Sequence, residues 1–288
     1  MIDQATELRK LVLRAMRAQP IATGPPPRLL ALTGGADGVG VTTIAVNLAV
    51  AMAEQGLRVV IVDADADRSD VATLCGVLDK TQDTKPIGSQ GDIHEVLYPG
   101  PAGIQIVPGL RTSGLDASAT NRISLHNNGL NEIAYERFRR QLSSLGRHVD
   151  TVIVDLGSGA GDFIRRFTAT ADEVLLVTAT EDAAVMDAYT RIKTGLSLST
   201  ERRLRLVVNR EIDEANALDV HRRIDGSCRK FLGTTIEFGG HLPHDAAVTR
   251  GARDSRPFVL IDPVAPASRA LTKLARALAP QLHQANTA

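Results

Sequence analysis

The feature that most constrains this fold is the stretch from Thr33 to Thr43, Thr-Gly-Gly-Ala-Asp-Gly-Val-Gly-Val-Thr-Thr. The apolar run Leu29-Leu30-Ala31-Leu32 precedes it, and Ile44, Val46, Leu48, Ala49 and Met52 follow at helical spacing. The glycine loop therefore lies where a strand turns into a helix. Gly38 and Gly40 let backbone N–H groups converge on one point at the positive end of that helix. Such a turn can hold an anion, and Thr42 is placed to offer a hydroxyl to Mg²⁺.

Length and pattern place the loop in one large α/β domain. The 288 residues can enclose a sizeable core, and strand-like and helix-like segments alternate from Arg28 onward. The reading is a doubly wound, mostly parallel sheet over residues 28–288, with strands near 28–33, 58–63, 104–107, 150–155, 173–178, 204–209 and 235–241. Segments 79–91 and 109–130, rich in small and polar residues, read as surface loops. Ahead of the domain, Ile2, Ala5, Leu8, Val12, Ala15 and Met16 predict a helical appendage over residues 1–18. A proline-rich linker, residues 19–27, follows it. Lysine plus arginine and aspartate plus glutamate number 33 each, so the net charge is zero and direct nucleic-acid binding is not expected. Cys75 and Cys228 form no Cys-x-x-Cys pair and suit reduced thiols. Neither a signal peptide nor a spanning helix is legible, so a cytoplasmic protein is expected.

The loop resembles that of the MinD/ParA group of P-loop ATPases, which runs K-G-G-V-G-K-T-T. Gly38, Val39, Gly40, Thr42 and Thr43 match it without gaps. Ala36 stands where the resemblance implies a signature lysine reaching the partner subunit's phosphates, Asp37 where it implies glycine, and Val41 where it implies the phosphate-clamping lysine. Each departure removes positive charge or adds negative charge. Two unit charges about 4 Å apart interact by roughly 4 kcal/mol at an effective dielectric of about 20, before desolvation. The expectation is weak binding of ATP or ADP with Mg²⁺ and little or no hydrolysis.

Further candidates lie at strand ends. Val59-Val60-Ile61-Val62 runs into Asp63-Ala64-Asp65, at the carboxyl end of a strand, where open α/β sheets bind ligands. The resemblance makes Asp65 the residue that positions the attacking water and Asp63 a support for the metal. A calcium loop through Asp63, Asp65 and Asp67 fails, because Arg68 replaces the required glycine and Leu74 the terminal glutamate. Thr151-Val152-Ile153-Val154-Asp155 is a second buried strand, followed by Gly157-Ser158-Gly159-Ala160-Gly161. Asp155 fits a metal partner and the glycine-rich loop a phosphate-sensing switch; an acidic strand end with a flexible turn is the alternative. Asn209 ends another strand, where the family reads adenine, although asparagine also commonly starts turns. His241 and His244 lack a third clustered ligand for zinc.

Within the group, Asp3-Gln4-Ala5-Thr6-Glu7-Leu8-Arg9 is similar to the N-terminal D-Q-A-x-x-L-R motif of FlhG-type (YlxH) flagellar-number regulators. Residues 171–178, Asp187-Ala188-Tyr189 and Arg256-Pro257-Phe258-Val259-Leu260 also resemble that subfamily. The resemblance implies that Asp3, Gln4, Ala5, Leu8 and Arg9 bind and stimulate an FlhF-like, signal-recognition-type GTPase. It also implies contacts with flagellar switch proteins or a transcription regulator, and a homodimer closed by ATP at the inner face of the cell membrane. Leu271, Leu274, Ala275 and Leu278 make a helix stripe expected to pack on the sheet and to end at Pro280. Residues 281–288 carry little apolar surface, so the family's terminal membrane-targeting helix is not recognisable. Two rivals are an active ATPase of the same group and a ParA-like DNA-partition factor.

Overall fold

A computed structural model describes residues 25–65, 67–77, 93, 96–109, 132–159, 161–196 and 203–285. The expected helix over residues 1–18, most of the linker, and both expected loops apart from Gly109 lie outside the described residues.

The strands are β1 Arg28–Gly34, β2 Val59–Asp63, β3 Tyr98–Pro99, β4 Gln105–Val107, β5 Thr151–Asp155, β6 Glu173–Thr178, β7 Arg203–Asn209 and β8 Glu237–Leu242. They join one sheet in the order β3-β4-β2-β5-β1-β6-β7-β8. Every pairing is parallel except β3 with β4. The helices are α1 Val41–Ala53, α2 Val71–Leu74, α3 Glu132–Ser143, α4 Asp162–Thr170, α5 Asp182–Gly195, α6 Glu214–Leu232, α7 Ala246–Arg253, α8 Phe258–Ile261 and α9 Pro266–Ala285.

The central strands are buried on both faces, which is why they read as continuous apolar runs rather than alternating ones. Their two-residue period nevertheless divides the core. Leu30, Leu32, Ile61, Ile153, Leu175 and Val177 point to the face covered by α1 and α9. Ala31, Val60, Val62, Val152, Val154 and Leu176 point to the face covered by α3, α4, α5 and α6. Each fully buried large aliphatic side chain contributes about 1.5–3 kcal/mol, so both layers are strongly specified. Helix α1 lies deep in the first layer, and its buried Asn47 is satisfied there. Its Nδ2 donates to the Thr43 carbonyl at 2.8 Å and its Oδ1 accepts from the Val259 N–H at 3.2 Å, tying α1 to α8.

The structure adds one strand and corrects one expectation. The two-residue strand β3 was not anticipated, because so short a segment ending in Pro99 carries no alternating pattern; it is an antiparallel edge strand, where proline is tolerated. Helix α9 runs through Pro280 to Ala285 instead of ending there. A proline within a helix removes one N–H and one hydrogen bond without obliging the chain to stop. The stripe Leu271, Leu274, Ala275 and Leu278 is buried as expected, against α1 and β8. Among the described residues no helix is long and apolar enough to cross a membrane.

The sheet order fixes the site. Strand β1 sits between β5 and β6, with Leu32 beside Asp155 across the first pair, and Asp63 beside Asp155 across the β2–β5 pair. The carboxyl ends of β1, β2, β5 and β7 consequently meet at one edge, where open α/β sheets bind ligands.

Candidate functional site

The phosphate loop links β1 to α1. Gly38 and Gly40 adopt left-handed φ values of 73° and 95°, a backbone that suits residues without a Cβ. Gly40 is the N-cap of α1, and no side chain caps the helix. The Ile44 N–H already closes the first turn onto the Gly40 carbonyl at 3.0 Å, which leaves the N–H groups before it for a ligand. These groups face a cleft of about 390 Å³, lined by the loop together with Asp65, Arg68, Asp70, Gly157, Ser158 and Arg210. Thr42 and Thr43 are both on its wall. Val39 and Val41 are each 5 % exposed and belong to the apolar core under the loop. A Cβ built on Gly34 would lie 2.7 Å from a methyl of each, so the two valines pack closely against β1.

The expected carboxylates converge beside the loop. Asp155 is fully buried; its Oδ1 accepts the Gly157 N–H at 3.2 Å, while its Oδ2 makes no hydrogen bond of ordinary geometry. Burial pushes its pKa up to about 7, against the opposing pull of the Thr42 hydroxyl and the Gly157 N–H. Asp63 is 1 % exposed, with Oδ2 accepting from the Val71 N–H at 3.2 Å and Oδ1 buried without a partner. Burial, reinforced by the charge of Asp155, holds Asp63 well above the usual carboxylate range. Asp65 accepts the N–H groups of Asp67 and Arg68 at 2.9 and 3.1 Å, and burial raises its pKa. A Cβ on Gly157 would stand 2.1 Å from Asp65 Oδ2, and the φ of that glycine is 59°. Only glycine fits where the loop after β5 passes this carboxylate.

Two buried carboxylate oxygens that make no hydrogen bond of ordinary geometry, beside a threonine hydroxyl, form an all-oxygen donor set suited to a hard cation. Thr42, with Asp155 and Asp63, would hold Mg²⁺, which when bound neutralises phosphate charge.

Asn209 braces the loop. Its Nδ2 donates to the Val39 carbonyl at 2.7 Å, and its Oδ1 accepts the Arg210 N–H at 2.9 Å. The partners Asp3, Gln4, Ala5, Leu8 and Arg9 expected for a GTPase contact lie outside the described residues.

Arg210 and Arg191 escaped the sequence reading, and Ser158, read there only as part of the glycine-rich loop, gains a specific partner. Arg210, at a left-handed φ of 62°, donates from Nη2 to the Gly38 carbonyl at 2.8 Å. Ser158 donates its hydroxyl to Asp37 Oδ1. Arg191, largely buried on α5, donates from Nε to the Gly34 carbonyl at 3.1 Å and from Nη2 to the Ser158 carbonyl. Burial lowers the pKa of Arg191, and the charges of Asp187 and Asp37 oppose that shift. No spacing could have revealed these residues, which act on a loop more than a hundred positions away.

Comparison with known proteins agrees with this geometry. Residues 30–258 match the family described as the CobQ/CobB/MinD/ParA nucleotide binding domain. The chain is similar to the antiactivator FleN of Pseudomonas aeruginosa, 30 % identical over 251 residues that span 87 % of this chain and 86 % of that protein. It is 27 % identical over 169 residues to the flagellum site-determining protein YlxH of Helicobacter pylori, spanning 58 % of this chain and 53 % of that one. Among solved structures, the MinD cell division protein of Aquifex aeolicus superposes with a TM-score of 0.67 at 21 % identity, covering 88 % of this chain and 97 % of that one. An uncapped helix start, a glycine loop and converging carboxylates at the edge of a parallel sheet thus coincide with a match across most of the sequence, and the chain belongs to the CobQ/CobB/MinD/ParA nucleotide-binding domain family.

Proposed function

We propose that this protein is an FlhG-type regulator of flagellar placement or number that works through protein contacts, with a nucleotide site that binds ATP weakly and hydrolyses it little or not at all. The likeness to FleN over 87 % of the chain, and to YlxH, supports the flagellar reading. The observation that carries the degenerate site is Val41: at the position expected for the phosphate-clamping lysine, its side chain is core material, 5 % exposed under the loop. Ala36 offers no cation to a partner subunit, and Asp37 adds an anion. Phosphoryl transfer depends chiefly on positioning and charge stabilisation, so losing both lysines removes most of what the loop supplies.

The partner is an FlhF-like, signal-recognition-type GTPase, engaged by Asp3, Gln4, Ala5, Leu8 and Arg9; a flagellar switch protein or transcription regulator is a further partner. Any homodimer forms without ATP, because Ala36 cannot neutralise phosphates across an interface. One experiment tests the nucleotide part: steady-state ATP turnover with light scattering on the same sample. Turnover at background and a mass unchanged by ATP are expected. Turnover comparable to an intact relative, abolished by Asp65→Ala, would overturn the reading.

A second reading, an active ATPase, draws on Arg68 and Arg210, which line the cleft and bring two guanidinium groups to it. It requires Arg68→Ala or Arg210→Ala to abolish a measurable wild-type turnover.

A further inference from the structure

Asp37 is exposed at the tip of the phosphate loop, yet it is tied to a distant segment. Its Oδ1 accepts the hydroxyl of Ser158, on the loop after β5. The carbonyl of Ser158 in turn accepts from Arg191, which also holds the Gly34 carbonyl at the end of β1. Phosphate loop, β5 loop and α5 are thereby linked with no ligand in the chain of bonds.

Anything that extends across the cleft from the start of α1 meets this linkage. A diphosphate needs only the converging N–H groups of the glycine loop and the Thr42 hydroxyl. A third phosphoryl group has to be received by the groups around them, chiefly Asp37, Asp65 and Ser158. Two of these are carboxylates, and the one hydroxyl donor is already bonded to Asp37. Arg68 and Arg210 also border the cleft, but both are exposed, where water and salt weaken their pull, and Arg210 already donates to the Gly38 carbonyl. We infer that Asp37 makes the cleft selective for nucleoside diphosphates against triphosphates, its carboxylate taking toward Ser158 the place a terminal phosphate would need. The inference rests on reading the cleft as a nucleotide site.

Asp37 repels the extra charge and also occupies its hydrogen-bond donor. Removing the carboxylate charge should relieve the repulsion and leave the positive charge of Arg191 less compensated, and both effects favour the triphosphate. Diphosphate contacts are untouched by the change. Because Asp37 is exposed, its replacement leaves the core intact.

Calorimetric titration of the full protein with Mg-ADP and with a Mg-bound non-hydrolysable ATP analogue tests this, in wild type, Asp37→Asn and Asp37→Gly. Wild type should bind the diphosphate about tenfold more tightly than the triphosphate, a factor worth ~1.4 kcal/mol. Both variants should reduce the ratio to within about threefold, by a gain in triphosphate affinity with diphosphate affinity nearly constant. Equal affinities in wild type, or a ratio unchanged in the variants, would overturn the inference. Binding of neither nucleotide at millimolar concentration would overturn it too. That last result would leave regulation through protein contacts standing, and failure to act on a GTPase would leave the selectivity of the cleft standing.

Discussion

Asp155 is the residue on which stability and ligand chemistry meet. In the unfolded chain its carboxyl titrates near an ordinary aspartate value, whereas burial lifts it to about 7 in the folded protein. The folded state therefore holds this proton more tightly than the unfolded one. Stability contributed by the neutral carboxyl is fully present below the unfolded value and is lost as pH rises toward and through 7. Asp155→Asn keeps an oxygen for the Gly157 N–H and cannot ionise. In thermal melts without divalent cations, its gain in Tm over wild type should be larger at pH 8 than at pH 5. An equal shift at the two pH values would mean that Asp155 does not carry the buried charge. At this scale the site was partly legible: Asp63 and Asp155 announce themselves because each ends a run of apolar residues, and Asp65 because it follows Asp63 by two positions. Arg191 does not, since a single arginine on an amphipathic helix reads as a solvated face until the fold turns it under the loop.

Among the elements, the central strands were legible because burial on both faces writes itself as uninterrupted Val, Ile and Leu. Sheet order was not, because periodicity carries no information about which strand lies beside which. That order is what sets Asp155 between β1 and β2 and brings Ser158 to Asp37. The end of α9 misled for a different reason: Pro280 weakens a helix locally, and tertiary packing decides whether the chain continues. Helix α9 holds the first core layer closed through a stripe that includes the fully buried Leu271. Leu271→Ala should therefore cost about 2–5 kcal/mol in urea unfolding. It should leave affinity for Mg-ADP nearly unchanged, since no residue of the stripe lines the cleft. A cost below about 0.5 kcal/mol, the level of an ordinary surface substitution, would show that the helix is not integral to the core.

For the whole molecule, the proposed reading is a loop that would keep the backbone of an anion site without the lysines of the family pattern, with Val41 packed in the core and Asp37 bonded to Ser158. A protein built this way can keep the surface and architecture of its relatives without their ATP cycle. Its action would then reside in contacts, foremost those of Asp3, Gln4, Ala5, Leu8 and Arg9 with a signal-recognition-type GTPase. The most direct measurement is the GTP hydrolysis rate of that cognate GTPase, in its dimeric state, with the full-length protein added and ATP omitted. The account predicts acceleration that persists in Asp65→Ala and is weakened by Gln4→Ala with Arg9→Ala. No acceleration, or acceleration that appears only with ATP and disappears in Asp65→Ala, would contradict it.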